Sequence, residues 1–247
     1  MLWNSSALTG YAIQASDSNI GSVSDVLFED VKFCMRWLVV DTGNWLPGRR
    51  VLLPVSALGH PDRELRLFPV KLTMQQVRDS PDIDTDMPVS RQHEADIFDY
   101  YGWDPYWGGG LYPVAAMANS ARALDSPTAP GTTKVPHDQH LRSIAAITGY
   151  HIHATDGNIG HAADFLLDEE GWSLRYMCVD TGNWWPGQQV LIAPGSIRAI
   201  DWGAQLIHLD VARQTVRGSP PYNPAMTVDG AYDDRFRSYY GINFVGL

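Results

Sequence analysis

The chain has 247 residues, of which 45% are apolar and 19% charged, so it can form a packed core and is not a disordered chain. The 28 acidic and 18 basic side chains give a formal net charge of −10, which argues against nucleic-acid binding and against docking on an anionic lipid surface. The sequence has two cysteines, no apolar run of about 20 residues and no signal-peptide pattern at its N-terminus, which predicts a cytoplasmic protein without a membrane span or a disulfide framework.

The sequence repeats itself once, at a constant separation of 139 positions. Residues 8–21 (LTGYAIQASDSNIG) recur as 147–160 (ITGYHIHATDGNIG), and residues 39–48 (VVDTGNWLPG) recur as 178–187 (CVDTGNWWPG). A period this long exceeds that of solenoid repeats and indicates a duplicated domain. We therefore predict one domain in residues 1–104, a linker rich in Pro, Gly and Ala in residues 105–140, and a second domain in residues 141–247.

The predicted elements of each copy change from strands to helices along the chain. In the first copy, strands are expected at 10–16, 20–29, 33–41, 50–54 and 64–70, and such a series of short strands favours a small antiparallel barrel. Thr73 and Gln76 form a capping-box pattern, which predicts a short helix that ends before Pro81. A second helix is expected at 90–101 and again at 230–240, closed by Gly102 and Gly241.

The order of these motifs, from LTGY through NIG and RWLVVDTGNWLPG to LTMQQVRDSP, resembles the PRC-barrel domain. That domain is named for the cytoplasmic part of the H subunit of bacterial photosynthetic reaction centres, and it also occurs in a ribosome-maturation factor. The resemblance implies two small antiparallel PRC-type β-barrels, each followed by two short α-helices, in a mainly β protein. It implies action through protein contacts and supplies no catalytic residues. The membrane helix of the H subunit has no counterpart in this sequence.

The Asp-Thr-Gly sequence at residues 41–43 and 180–182 is the motif most suggestive of catalysis. In aspartic proteases two such loops meet, and their carboxylates share one proton at a separation of about 3 Å. Here Asn44 and Trp45 follow the first glycine, whereas proteases usually have a small residue there. We therefore expect Asp41 and Asp180 to hydrogen-bond the local backbone in turns, and an aspartic-protease-like hydrolase is the alternative hypothesis.

No other motif predicts a catalytic, cofactor or metal site. The Asp17-x-Asn19-x-Gly21 pattern lacks the glutamate that completes a calcium loop, since Phe28 stands at the twelfth position. The histidines at 137, 140, 151 and 153 lack a completing ligand set, and we expect His151 and His153 on an exposed strand face. The two cysteines are expected to be packed free thiols.

Two groups of residues are expected to make structural or partner contacts. Arg36 and Arg175 lie in the middle of strands, and Asp25 and Asp164 on the preceding strands are their predicted ion-pair partners. Aromatic residues in the turns and at the helix ends are expected to contact a partner or the other repeat: Trp45, Trp184, Trp185, Tyr100, Tyr101, Tyr239 and Tyr240.

These observations predict a non-enzymatic binding or scaffold protein that acts through protein–protein contacts, with the two repeats joined as an intramolecular pseudo-dimer. The partner is expected to be a protein. By analogy with the H subunit, peripheral association with a membrane complex is an open alternative. A role of the ribosome-maturation type is the other alternative. It is disfavoured because that factor joins its barrel to a distinct N-terminal domain, whereas this chain carries a second barrel.

Overall fold

A computed structural model describes residues 1–81, 91–103, 141–182, 185, 188–224, 226 and 228–241, and the predicted linker at 105–140 lies outside them. The protein is mainly β, and its strands form two sheets. Residues 1–103 are called the first half below, and residues 141–241 the second half. No helix in the described part of the chain is long and apolar enough to cross a membrane.

The elements of the first half recur in the second half, displaced by 139 residues to within one residue at their ends, and the second half has one additional strand, at Ile197–Asp201. The first half contains β1 (Leu2–Asn4), α1 (Ser5–Leu8), β2 (Ala12–Gln14), β3 (Asn19–Glu29), β4 (Cys34–Asp41), β5 (Arg50–Pro54), β6 (Leu67–Pro69), α2 (Met74–Arg78) and α3 (Arg91–Tyr101). The second half contains β7 (Leu141–Ser143), α4 (Ile144–Ile147), β8 (His151–Ala154), β9 (Gly157–Asp168), β10 (Leu174–Asp180), β11 (Gln189–Ile192), β12 (Ile197–Asp201), β13 (Leu206–Leu209), α5 (Arg213–Arg217) and α6 (Gly230–Tyr240).

The two sheets share one strand order, to which the second sheet adds β12 at its edge. The first runs β5-β4-β3-β2-β6 and the second β11-β10-β9-β8-β13-β12. Neighbours are antiparallel, except that β2 pairs with β6 and β8 with β13 in parallel. Among the described strands, no hydrogen-bonded ladder joins the edges into the closed barrel that the sequence predicted. Register shifts in β3 near Val23 and Leu27 bend that strand, which curves the first sheet without closing it.

The first strand of each half pairs with the sheet of the other half. In β1, Trp3 lies opposite Leu167 of β9, and in β7, Arg142 lies opposite Phe28 of β3. The two registers are equivalent under the 139-residue displacement. The halves also meet at an isolated bridge between Cys34 and its own counterpart Ser173, so an approximate two-fold axis passes between these two residues.

The buried side chains of both halves form one continuous core. It includes Ile13, Phe28 and Phe68 of the first half together with Ile152 and Phe165 of the second half. Across the contact between the halves, the rings of Phe68 and Trp172 have their centroids 5.5 Å apart. The exchanged strands therefore join two sheets that share one hydrophobic interior.

The longer helices cover the outer faces of the sheets. Trp37 and Val39 of β4 pack against Ile97 and Phe98 of α3, in a cluster that also includes Leu141 of the opposite half. In the second half, Tyr176 and Cys178 of β10 are in the equivalent cluster with Tyr232 and Phe236 of α6. Strands β4 and β10 are thus buried on both faces, which explains the nearly continuous apolar run from Trp37 to Val40.

Candidate functional site

The Asp-Thr-Gly motifs form turns at the ends of β4 and β10. Asp41 Oδ1 accepts a hydrogen bond from the Gly43 amide at 2.8 Å, and Asp180 Oδ1 accepts one from the Gly182 amide at the same distance. The buried Thr42 hydroxyl lies 2.8 Å from the Leu46 carbonyl oxygen and 2.7 Å from that of Arg49. The polar groups of the motif therefore close their own loop, as the turn interpretation predicted.

The asparagine-x-glycine motif is tied to the same turn. Gly21 has φ +136°, and a Cβ atom there would lie 2.1 Å from the Asp41 carbonyl oxygen. At the equivalent Gly160, φ is +137° and the distance to the Asp180 carbonyl oxygen is 1.9 Å. Only glycine permits this close approach of two backbones. The packing of the two turns therefore explains why both motifs are present in each repeat.

The two turns point away from each other. Strands β4 and β10 meet at the Cys34–Ser173 bridge, and each then runs seven residues in its own direction before reaching Asp41 or Asp180. At about 3.3 Å per residue, this places about 23 Å of strand between the bridge and each aspartate. A proton-sharing pair needs the carboxylates at about 3 Å, and this arrangement does not provide that contact.

The tryptophans in these loops pack against their own half. Trp45 Nε1 donates a hydrogen bond to the Ile20 carbonyl at 2.7 Å, and the Arg78 guanidinium lies 5.7 Å from the centre of the Trp45 ring. Arg217 lies 5.8 Å from the ring of Trp185. Trp184 lies outside the described residues. Trp45 and Trp185 are partly buried against the common core, so they cover an end of their own sheet.

The tyrosines at the helix ends also bond within their own half. The hydroxyls of Tyr100 and Tyr101 donate to the Gln76 carbonyl at 3.2 and 3.3 Å, and Tyr239 donates to the Thr215 carbonyl at 2.8 Å. The contact between the repeats that was predicted for them is made instead by β1 and β7. Tyr100 and Tyr239 remain 41% and 42% exposed as whole residues, at equivalent positions.

Tyr101 and Tyr240 are more buried than these exposed neighbours, and burial raises the pKa of each to about 12. Tyr101 stacks on Trp103 with ring centroids 4.2 Å apart, and Tyr240 packs on Phe236 at 4.6 Å. One tyrosine of each pair therefore anchors the end of its helix, and the other faces solvent.

The structure gives both strand arginines other carboxylate partners than predicted. Arg36 pairs with Glu29, with Nε 3.1 Å from the carboxylate oxygen, and Arg175 Nε lies 3.7 Å from Asp168. The predicted pairing of Arg36 with Asp25 and of Arg175 with Asp164 is therefore wrong. The strand register is the reason, since it places Asp25 opposite Val39 and brings the Glu29 end of β3 alongside Arg36.

Asp25 and Asp164 instead bind the exchanged segment of the opposite half. Asp164 accepts hydrogen bonds from the Asn4 side chain at 2.9 Å, the Ser5 hydroxyl at 2.7 Å, and the Ser6 amide and hydroxyl at 3.1 and 2.6 Å. Asp25 accepts from the Ser143 hydroxyl and from the Ala145 amide at 3.1 Å. Each aspartate thus satisfies an amide in the first turn of a helix from the other half.

A second contact of the exchanged strands uses the same kinds of residue in both halves, but the arginine and the tryptophan have changed places. In the first half, Arg63 lies 4.2 Å from the ring centre of Trp3, which donates from Nε1 to Glu169 at 3.1 Å. In the second half the residue types are interchanged, so that Arg142 lies 4.1 Å from the ring centre of Trp202 and pairs with Asp30 at 3.0 Å. Both versions join a cation, an indole and a carboxylate.

A hydrogen bond between strand and helix was not predicted from the sequence. The buried Trp37 donates from Nε1 to Glu94 of α3 at 2.7 Å, and Tyr176 at the equivalent position bonds Asp233 of α6. Burial and the bond to Asp233 raise the pKa of Tyr176 above its ordinary value. The signal in the sequence was a carboxylate at the same place in both helices, 57 residues after an aromatic strand residue.

Neither the cysteines nor the histidines form a ligand set of three or more with nearby carboxylates in the described ranges. Cys34 and Cys178 are free thiols; burial raises the pKa of Cys34 and raises that of Cys178 to about 12. His151 is exposed and His153 is partly exposed, as predicted. His137 and His140 lie outside the described residues.

Comparison with protein families gives one match that agrees with the order of motifs. Residues 4–71 match the model of the PRC-barrel domain family. The match covers 68 of the 247 residues and supports the resemblance of this part of the chain to the PRC-barrel domain family. It extends from the end of β1 to just beyond β6 and includes the Asp-Thr-Gly turn. A search of curated proteins finds no match to the chain.

Proposed function

We propose that this chain is a non-enzymatic binding or scaffold protein of the PRC-barrel type, acting through protein–protein contacts. The observation that carries the proposal is the family match over residues 4–71. A role resembling that of the reaction-centre H subunit, peripheral to a membrane complex, and a cytoplasmic location belong to the proposal by family analogy.

The distribution of aromatic residues supports this proposal. Trp45 and Trp185 pack on their own sheets, whereas Tyr100 and Tyr239 keep about two-fifths of their surface exposed at equivalent positions. Exposed tyrosines whose hydroxyls are already bonded are rigid, amphipathic contact residues, which is the type enriched at the centres of protein interfaces. We propose that these two tyrosines are the partner contacts.

The exchanged strands support an intramolecular pseudo-dimer as the form in which the chain binds. Each half supplies a strand to the other sheet, so the two tyrosine surfaces belong to one molecule. Two equivalent surfaces on one molecule can engage a two-fold symmetric protein or two copies of one protein, and the second contact then forms at a raised effective concentration.

The proposal is tested by capture of proteins from the native cell extract. The full chain is used as bait in three forms: unmodified, with Tyr100→Ser and Tyr239→Ser together, and with Leu65→Ser. Leu65 is 71% exposed on the turn before β6 and serves as the matched control. We expect a protein that is retained by the unmodified chain and the control but lost by the double variant. Identical retention by all three baits would contradict the proposed surface.

The hydrolase alternative has a separate test. The proposal requires that the chain show no hydrolysis of denatured protein at acid pH, between the two ionisations of a paired-aspartate site (about 1.5 and 4.7). Activity in that range that Asp41→Asn abolishes would contradict a non-enzymatic role.

A further inference from the structure

Half of the histidines in the sequence lie on one face of the second sheet. Of the eight, His151 and His153 belong to β8, His161 to β9 and His208 to β13, which are neighbouring strands. The first half has no histidine at any equivalent position, since Ala12, Gln14, Ser22 and Pro69 stand there. The shared fold therefore does not require these histidines, and they distinguish the second half from the first.

Two of them form a close pair. His153 and His208 are partners in the parallel ladder between β8 and β13, and their ring centroids are 6.0 Å apart at an interplanar angle of 55°. Ile152 and Ile207, the residues before them, are fully buried. Because side chains alternate along a strand, both imidazole rings lie on the outer face, where they are partly exposed.

We propose that His153 and His208 bind a divalent transition-metal cation of the Zn²⁺, Cu²⁺ or Ni²⁺ type. Imidazole nitrogen is a preferred ligand for these ions. A zinc–nitrogen bond of about 2.0–2.1 Å places the metal about 3 Å from each ring centre, so two rings sharing one ion have their centroids about 5–6 Å apart. The observed centroid separation of 6.0 Å lies at the upper end of this range.

The two residues that stand in register beside the pair are small or uncharged. In register beside the pair stand Ala199 of β12 next to His208, and Asn158 of β9 next to His153. Neither side chain carries a positive charge that would repel the metal. Since no group of three or more His, Cys, Asp or Glu is arranged as a ligand set among the described residues, water fills the remaining positions and affinity is modest.

Calorimetric titration of the full chain with Zn²⁺ tests the site. The variants are His153→Gln, which installs the residue that the first half has at this position, and His208→Gln. The control is His60→Gln, in a loop of the first half. We expect the unmodified chain and the control to bind zinc equally, and each site variant to bind about a hundredfold more weakly, because a single imidazole loses the chelate advantage.

Two further measurements keep the test decisive. Circular dichroism checks that each variant is folded, and the electron paramagnetic resonance spectrum of bound Cu²⁺ reports directly on coordinated nitrogen. We expect the unmodified chain to show two nitrogens and each site variant one. Zinc affinity and nitrogen coordination that are unchanged in both variants would overturn the proposal and place any bound metal on other residues. This inference does not depend on the proposed protein partner.

Discussion

Asp25 and Asp164 hold the exchanged segments in place, but Asp164 makes more of the contacts. It accepts four hydrogen bonds from residues 4–6, whereas Asp25 accepts bonds from Ser143 and Ala145. Removing an acceptor from partly buried donors costs about 1–3 kcal/mol per unsatisfied group. We therefore expect Asp164→Ala to lower the free energy of unfolding by about 2–4 kcal/mol and Asp25→Ala by somewhat less.

Urea denaturation followed by fluorescence measures both changes. Asp234→Ala is the matched control, because Asp234 is exposed on α6, and it should change the free energy of unfolding by less than about 0.5 kcal/mol. If Asp164→Ala lowers the free energy of unfolding no more than Asp234→Ala does, the hydrogen bonds to the exchanged segment do not contribute to stability.

Glu169 makes the contact between the halves sensitive to acid. Burial opposes its charged form, but the bonds from His60 and Trp3 outweigh this effect and lower the pKa of Glu169. A carboxyl group whose pKa is lower in the folded state stabilises the fold above its unfolded pKa, and this stabilisation is lost as the pH falls through the folded pKa. We therefore expect Glu169→Gln to destabilise the chain at pH 7 and to have a smaller effect at pH 3.

The measurement is the urea midpoint of the unmodified chain and of Glu169→Gln at intervals between the two pH values. Asp234→Asn, at the exposed site, serves as the control and should follow the unmodified chain throughout. A difference between Glu169→Gln and the unmodified chain that stays constant with pH would contradict the lowered pKa.

The ion-pair partners of Arg36 and Arg175 could be predicted only in part from single residues. The sequence correctly indicated that a strand arginine between apolar neighbours needs a carboxylate, and both arginines have one. It did not identify which carboxylate, because that depends on the register of β3 with β4. The register shift between Leu27 and Phe28 is a property of the paired strands and has no mark in either strand alone.

Helices α3 and α6 are attached through equivalent hydrogen bonds that differ in burial. Glu94 is 2% exposed where it accepts from Trp37, whereas Asp233 is partly exposed and also pairs with Arg237. We expect Trp37→Phe to cost about 2–4 kcal/mol, because it removes packing volume and a charge-assisted bond to a buried carboxylate. Tyr176→Phe removes only a hydroxyl and should cost about 1 kcal/mol.

Thermal unfolding of the two variants provides the comparison. Trp37→Tyr is compared with Trp37→Phe, because it introduces the residue that the second half has at this position and restores a hydrogen-bond donor to Glu94. We expect it to recover part of the lost stability. If Trp37→Phe and Trp37→Tyr unfold at the same temperature, the hydrogen bond to Glu94 adds no stability beyond that of side-chain packing.

The helices at the end of each half were predicted from the sequence, whereas the first strand and the short helix after it were not. Thr73 and Gln76 form the predicted capping box, and Gly241 closes its helix with φ +65°, because caps are made by residues that are close in sequence. Strand β1 has only three residues and pairs with Leu166–Asp168, more than 160 positions away. Nothing local distinguishes such a segment from a loose terminus, so the first predicted strand began at residue 10.

The whole molecule depends on contacts between the halves more than on the segment that connects them. The core is continuous across both halves, and two exchanged strands cross between them. We expect a chain cut at a protease site introduced into residues 104–140 to remain a single particle in gel filtration. Its urea midpoint should rise with protein concentration, because unfolding now separates two molecules.

An uncut sample of the same variant is the control, and its urea midpoint should not depend on concentration. Separation of the two fragments on gel filtration without denaturant would contradict the predicted association. The duplicated sequence suggested joined repeats, but the exchange of strands could not be predicted, because a pairing within each repeat satisfies the same pattern of apolar residues.

The exchanged strands also have a consequence for synthesis of the chain. The edge of β3 at Leu27–Glu29 is covered by β7, whose residues 141–143 are made only after the whole first half. Until then the emerging chain carries an unpaired strand edge beside apolar side chains, which is the kind of surface that recruits other unfinished chains. Expression at a reduced rate of translation initiation, with nascent chains farther apart on each message, should therefore favour correctly paired molecules over aggregates.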